Sequence, residues 1–261
     1  MGSSVRNITA IAGKEIRSYF GSPVAWVLMA LFAALFGYFF YLYLRMFVDE
    51  SMAGAMGQGP QTVNVNMRMI RPLLENARLF VLFLLPMVTM RTYSEEKRSG
   101  TIELLLTSPL KNSEIVFGKY LAAMGMYAGL LAVTVLYMAI LFLWGNPALV
   151  PVLSGYLGLL LMGGGFVAVG LFISTLTNNQ MVAGVASFVV FLLLWVIGWI
   201  GDSSSMNPTI SSILHYLSIT EHFDDFGKGV IDTKHVIFYL SFIGFGLFLA
   251  VKSVESDRWR G

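Results

Sequence analysis

The chain has 261 residues, 56% of them hydrophobic and 12% charged, with a mean hydropathy of +0.72 and a net charge of +2. Soluble domains carry about twice that charged fraction, and no Asp, Glu, Lys or Arg falls between Lys119 and Asp202, so a water-soluble fold is excluded. The small net charge and the lack of a basic–aromatic patch argue against nucleic acid, and the absence of cysteine excludes disulfides and Cys-ligated metal sites.

The elements follow in chain order. VRNITAIAGKEIRSYF reads as an amphipathic helix over 5–20, with Val5, Ile8, Ala12, Ile16 and Tyr19 on one face and Arg6, Lys14 and Arg17 on another. Glu15 falls on the apolar side, against the pattern. This segment lacks the uninterrupted apolar core and cleavage site of a signal peptide, and an interfacial helix on the bilayer surface is the expectation. Ser22-Pro23 turns the chain into a first span near 24–44. A second span, 72–90, has only the stretch Leu79 to Met90 free of charge and takes its outer turns from PLLENAR.

After a charged loop, 91–114, the long uncharged run divides at WGNPALVP and TNNQ. Spans are therefore placed at 120–143, 153–176 and 181–200, with a sixth at 235–251. The fold class is all-α: a single polytopic domain over 1–261 with six transmembrane helices. Gly163, Gly164, Gly165, Gly170 and Gly184 suit close helix packing in a membrane.

Six spans put both termini on one side. That side holds Arg6, Lys14, Arg17, Arg91, Lys97, Arg98, Lys111, Lys119, Lys252, Arg258 and Arg260, eleven cations, against six at Arg45, Arg68, Arg71, Arg78, Lys228 and Lys234. The positive-inside rule places the termini and the 91–114 loop in the cytoplasm.

Within that loop Gly100 breaks the chain, Thr101 can cap a helix, and Ile102, Leu105 and Leu106 form an apolar edge before Ser108-Pro109 stops it. A two-turn helix showing leucines beside dense charge suggests a docking surface; an ordinary solvated loop is the blander reading.

RTYSEEKRSGTIELLLTSPLKNSEIVFGKYLAA resembles the loop between the second and third spans of ABC transporter permeases of the type-2 exporter family. KEIRSYFGSPVAW, LTNNQMVAG and HFDDFGKGVID add to the likeness, which covers nearly the whole chain and is nearest to permeases of gliding motility and nitrous-oxide-reductase maturation. In that family the loop carries the coupling helix, which fits a cleft on an ATP-binding subunit.

The resemblance implies that Ile102, Leu104, Leu105 and Leu106 pack in that cleft. Glu95, Glu96, Lys97 and Arg98 would bear on the ATPase surface and the amphipathic helix, with Thr101 and Glu103 beside them and Gly100 setting the bend. Asn179 and Gln180 would form a second, smaller contact. No G-x-x-x-x-G-K-[ST] occurs, and Gly13-Lys14 is followed by Glu15. ATP and Mg are therefore expected on a partner subunit, with no cofactor and no enzymatic activity on this chain. A second permease copy, membrane lipid and an extracytoplasmic accessory protein are further implied partners. The bacterial inner membrane is the implied location, and an amphipathic substrate moving outward the implied cargo.

Three other groups have two readings each. Arg71, Glu75 and Arg78, at i, i+4 and i+7, form either a charge latch, with Glu75 serving both arginines, or a substrate site. Met46, Met52, Met56, Met67 and Met69 could offer thioethers to Cu(I), although their spacing is scattered. His222, Asp224 and Asp225 could bind a metal or simply line a partly re-entrant outer helix. A membrane-embedded enzyme finds no convergent catalytic set in the spans. A scaffold that recruits a cytoplasmic ATPase to envelope machinery without moving cargo stays open, because it needs the same docking loop.

Overall fold

The computed structural model describes residues 2–58, 63–145, 147–201 and 207–260. The side chains at 2–3, 105–106 and 259–260 lie outside the described residues, as do Asn146 in the expected turn and Asp202. Every regular element among the described residues is helical: α1 (Gly2–Gly21), α2 (Pro23–Ala55), α3 (Arg71–Thr89), α4 (Ser94–Ser99), α5 (Thr101–Leu106), α6 (Asn112–Trp144), α7 (Leu149–Thr175), α8 (Gln180–Gly201), α9 (Pro208–Leu217), α10 (Glu221–Gly227) and α11 (Thr233–Arg260). Six of them, α2, α3, α6, α7, α8 and α11, are long and apolar enough to cross a membrane.

Local chemistry sets the ends. Ser22 caps α2, its hydroxyl accepting from Val24 N at 3.3 Å, and Pro23 supplies the first helical position. Asn207 and Pro208 start α9 in the same way, with Asn207 Oδ1 accepting from Thr209 N at 2.9 Å. A single π-helical turn, Asn66–Ile70, leads into α3. At 33 residues each, α2 and α6 are roughly 50 Å long, well beyond the ~30 Å hydrocarbon layer. The expected first span, 24–44, therefore continues for another three turns as helix, through Arg45 to Ala55.

α7 is the central helix: 72% of its most apolar 18-residue stretch is buried, against 22% for α2 and α11. Its glycines are what bring neighbours this close. A Cβ at Gly163 would lie 2.2 Å from the Tyr127 ring of α6, at Gly165 2.6 Å from Phe242 of α11, and at Gly170 2.4 Å from Thr89 of α3. Association in lipid has no hydrophobic drive between helices, so such close packing and buried hydrogen bonds must supply it. Tyr127 Oη donates to Leu159 O at 2.7 Å and Tyr137 Oη to Ala33 O at 3.1 Å, tying α6 to α7 and α2.

α1 runs parallel to the first half of α6. Ile11 sits over Gly118, Ile16 over Gly125 and Phe20 over Gly129. The apolar face assigned to the bilayer surface is thus largely occupied by α6, while Val5 remains 62% exposed.

The bundle has two dissimilar ends. One carries α4 and α5 with the starts of α6 and α8 and the ends of α3, α7 and α11. The other carries α9 and α10.

Candidate coupling site

α4 grows directly from the end of α3, and its first turn is stapled to α7. Tyr93 N and Ser94 N donate to Ser174 Oγ at 3.0 and 3.1 Å, and that hydroxyl donates to Met90 O at 3.2 Å. One buried serine thereby satisfies two helix-start donors that would otherwise lack partners. Lys97 reaches back from α4 to Thr175 O and pairs with Asp257 of α11 at 2.6 Å. Gly100 ends α4 with φ at +72°, a left-handed conformation costly to residues with a Cβ.

α5 follows after that reversal. Thr101 is its first helical residue rather than its cap; its hydroxyl lies 2.9 Å from Ser99 Oγ, on the preceding turn.

The centre of this end is a buried lysine. Lys119 is 1% exposed, and its Nζ donates to Glu96 Oε1 at 2.8 Å, Thr92 O at 3.0 Å and Glu15 Oε1 at 3.1 Å, 5.1 Å from the centre of the Tyr93 ring. Three elements, α1, α4 and α6, meet on one ammonium. Lys14 adds a second cation, 3.3 Å from Glu15 and 4.0 Å from Glu96, but is itself 68% exposed. Burial pushes the Glu15 carboxyl up, yet Lys119 and Lys14 outweigh it and hold the group below the usual carboxylate range. Burial raises the neighbouring Tyr19 phenol to about 12, against the hydrogen bond from Thr92, so it stays neutral at 3.3 Å from Val88 O and Thr92 Oγ1.

The residues expected to face a partner therefore divide. Glu96 and Lys97 are turned inward, with side chains 16% and 14% exposed. Ile102 also turns inward, half-buried against the apolar cluster that contains Tyr93, Ile115 and Val116. Glu96 thus bears on the amphipathic helix, the other surface expected of it, and all three side chains are turned into the chain. Glu95, Arg98, Thr101 and Glu103 are exposed, and Leu104 is 74% exposed. The side chains of Leu105 and Leu106 lie outside the described residues. Asn179 and Gln180 come together with Arg98 around one open depression, next to Leu176 and Met181, which are 61% and 77% exposed.

This arrangement, an outward-facing short helix after a left-handed glycine, rooted by charged ties into a six-span bundle, coincides with a whole-chain match. A family model described as ABC-2 family transporter protein matches residues 9–251. The chain belongs to that family. It is a membrane-spanning permease component of an ABC transporter, and the family implies an ATP-binding partner. The match covers the family as a whole and distinguishes no branch within it. A comparison with curated proteins gave no match.

The opposite end of the ABC-2 chain corrects the expected latch. Arg71 pairs with Glu75 at 3.1 Å, as its spacing suggests. Arg78 does not join them. It crosses to α10, bonding Asp224 at 3.0 Å and Thr220 O at 3.2 Å, with its guanidinium 4.9 Å from the Trp195 ring centre and 5.2 Å from Phe223. His222, Asp224 and Asp225 diverge: Asp224 serves Arg78, while Asp225 meets Lys228 and His235. Among the described residues no group of three or more His, Cys, Asp or Glu is placed to hold a metal. The five methionines do not form one set either, since Met69 is fully buried whereas Met46, Met52, Met56 and Met67 are 50–75% exposed.

Proposed function

We propose that this chain is the membrane half of an ABC exporter, driven by ATP and Mg bound on a separate subunit that docks on α4 and α5. The docking face comprises Glu95, Arg98, Glu103 and Leu104, with Asn179 and Gln180 contributing from the start of α8. The observation that carries this reading is the contrast on α4 and α5. Leu104 faces outward at 74% exposed, while Glu96 and Lys97 on the same hairpin anchor to α1, α6, α7 and α11. A push on the hairpin is therefore delivered to four helices at once.

On this reading α4, α5 and both termini lie in the cytoplasm of a bacterial inner membrane, as the cation distribution suggests, and a second permease copy completes the transporter. The cargo is amphipathic and moves outward. The membrane-scaffold alternative shares the docking face, and substrate-stimulated ATPase activity separates transport from it.

The test is co-purification in mild detergent, with bound chains identified, for wild type and Leu104→Asp. A charge left unpaired in an apolar cleft costs several kcal/mol, so an ATP-binding subunit recovered with wild type is lost from the variant while the melting temperature of the permease stays unchanged. Retention of that subunit by Leu104→Asp, or failure of wild type to recover one, refutes the docking assignment.

A further inference from the structure

At the end of the bundle away from α4 and α5, three titratable groups stand in a line. His222 Nε2 is 2.9 Å from the Tyr216 carbonyl, His222 Nδ1 is 2.7 Å from His235 Nδ1, and His235 Nε2 is 3.0 Å from Asp225 Oδ2. Both imidazoles are buried, at 6% exposure each. We propose that His222, His235 and Asp225 form a proton-binding site, and that the bound proton clasps α9 onto α10 and α11.

The argument is a count of hydrogens. The line has three links, and each needs one hydrogen. Its two ends, a backbone carbonyl and a carboxylate, can only accept. Two neutral imidazoles bring two hydrogens, so a fully bonded line carries one proton more. Starting from the carbonyl, His222 must donate through Nε2 and accept at Nδ1, and His235 must then donate through both nitrogens. The extra proton therefore belongs to His235, in its bond to Asp225.

The surroundings agree. Burial lowers the affinity of His222 for a second proton, against the pull of the Tyr216 carbonyl, so His222 is the neutral member. Hydrogen bonds from His235 and from Lys228, 3.0 Å from Oδ1, hold Asp225 below the usual carboxylate range. The other charges facing the line are engaged with one another. Glu221 of α10 lies 3.6 Å from His215 of α9, Asp224 of α10 bonds Arg78 of α3, and Lys234 of α11 bonds Asp232 at 3.1 Å. The rings of Phe238, 3.8 Å from His222 between centres, and of Tyr239 close the remaining sides.

Removing the proton leaves one link with two facing acceptors. The Tyr216 link is the one to open, because α9 has no buried residue. Its other polar holds include the Ser211 hydroxyl on Gly201 O, at 2.7 Å, and the His215–Glu221 pair, at 3.6 Å. The sign follows. The clasp is present while the line holds three hydrogens and is lost as pH rises and the third leaves. It is lost again at low pH, when His222 and Asp225 take up protons through their lowered values. On the proposed orientation the site reads the pH outside the cytoplasm.

The chain has no cysteine, so Ser212→Cys, on an exposed position of α9, accepts a single spin label in the full chain in lipid nanodiscs. Label mobility is expected to step up as pH rises from about 6 to about 9. His235→Asn should lose the step and stay mobile throughout, while His215→Asn should keep it. A flat wild-type profile, a step that survives His235→Asn, or one abolished by His215→Asn overturns the assignment. Independently of any variant, nitrogen NMR of labelled histidine in the unsubstituted chain should show one ring protonated at both nitrogens at about pH 6; three neutral rings there would also overturn it.

Discussion

Replacing Lys119 with methionine keeps the length of the side chain and removes the charge on which α1, α4 and α6 converge. Lys119 is 1% exposed, and the carboxylates of Glu15 and Glu96 are 15% and 16% exposed. The variant would leave these two anions facing each other, served only by the largely exposed Lys14. Glu96 is already short of partners, because its Oε2 makes no hydrogen bond. Breaking a buried ion pair from one side costs about 3–5 kcal/mol. At about 2–4 °C per kcal/mol for a chain of this size, the melting temperature should fall by roughly 6–20 °C. Combining Lys119→Met with Glu15→Gln and Glu96→Gln should restore most of that loss, because the cost lies in the orphaned charges and not in the missing contact. The assay is thermal unfolding of the detergent-solubilised chain, alongside trypsin cleavage after Arg98, which should accelerate in the single variant as α4 detaches. If the single variant melts within about 2 °C of wild type, or the triple variant melts as low as the single, the buried lysine does not organise this end and the reasoning fails.

Two further outcomes are expected. Gly163→Ala places a Cβ 2.2 Å from the fully buried Tyr127 ring and should cost about 1–3 kcal/mol, whereas Gly244→Ala, which meets nothing within 4 Å, should be neutral or stabilise by up to about 1 kcal/mol; paired thermal melts decide between them. In double-mutant cycles read by thermal stability, Arg78→Met should couple to Asp224→Asn by about 0.5–3 kcal/mol but add to Glu75→Gln within about 0.5 kcal/mol, and strong coupling to Glu75 would reinstate the three-residue latch.

The sequence exposes the six apolar helices because hydropathy is a local property and the membrane imposes it on each span separately. It hides where they stop. Arg45, Asp49 and Glu50 end the apolar run of the first span, yet α2 continues past them, since helix needs no lipid once its charges can reach water or Arg68, which pairs with Glu50 at 3.0 Å. The α4–α5 hairpin was legible in outline from Gly100 and the helical spacing that follows it. Its inner half was not, because the partners of Glu96 and Lys97 come from distant segments: Lys119, Thr175 and Asp257. One clue was present. Glu15 lay on the apolar face of α1, and a carboxylate misplaced on an otherwise consistent face signals a buried cation opposite, here Lys119. Arg78 misled because helical spacing allowed Glu75 as its partner, while the aromatic faces of Trp195 and Phe223 that actually receive it belong to α8 and α10.

The parallel seating of α1 on α6 has a consequence for biosynthesis. Glu15 leaves the ribosome 104 residues before the lysine that neutralises it, a delay of roughly 5–20 s at ordinary rates of elongation. During that interval α1 has neither Gly118 nor Lys119 to rest against, and its apolar stripe needs another host. The headgroup layer beside the insertion site is the nearest one, and the cations Arg6, Lys14 and Arg17 suit it. The face that α6 covers in the folded chain is thus, by its composition, one that the headgroup layer would accept before α6 arrives.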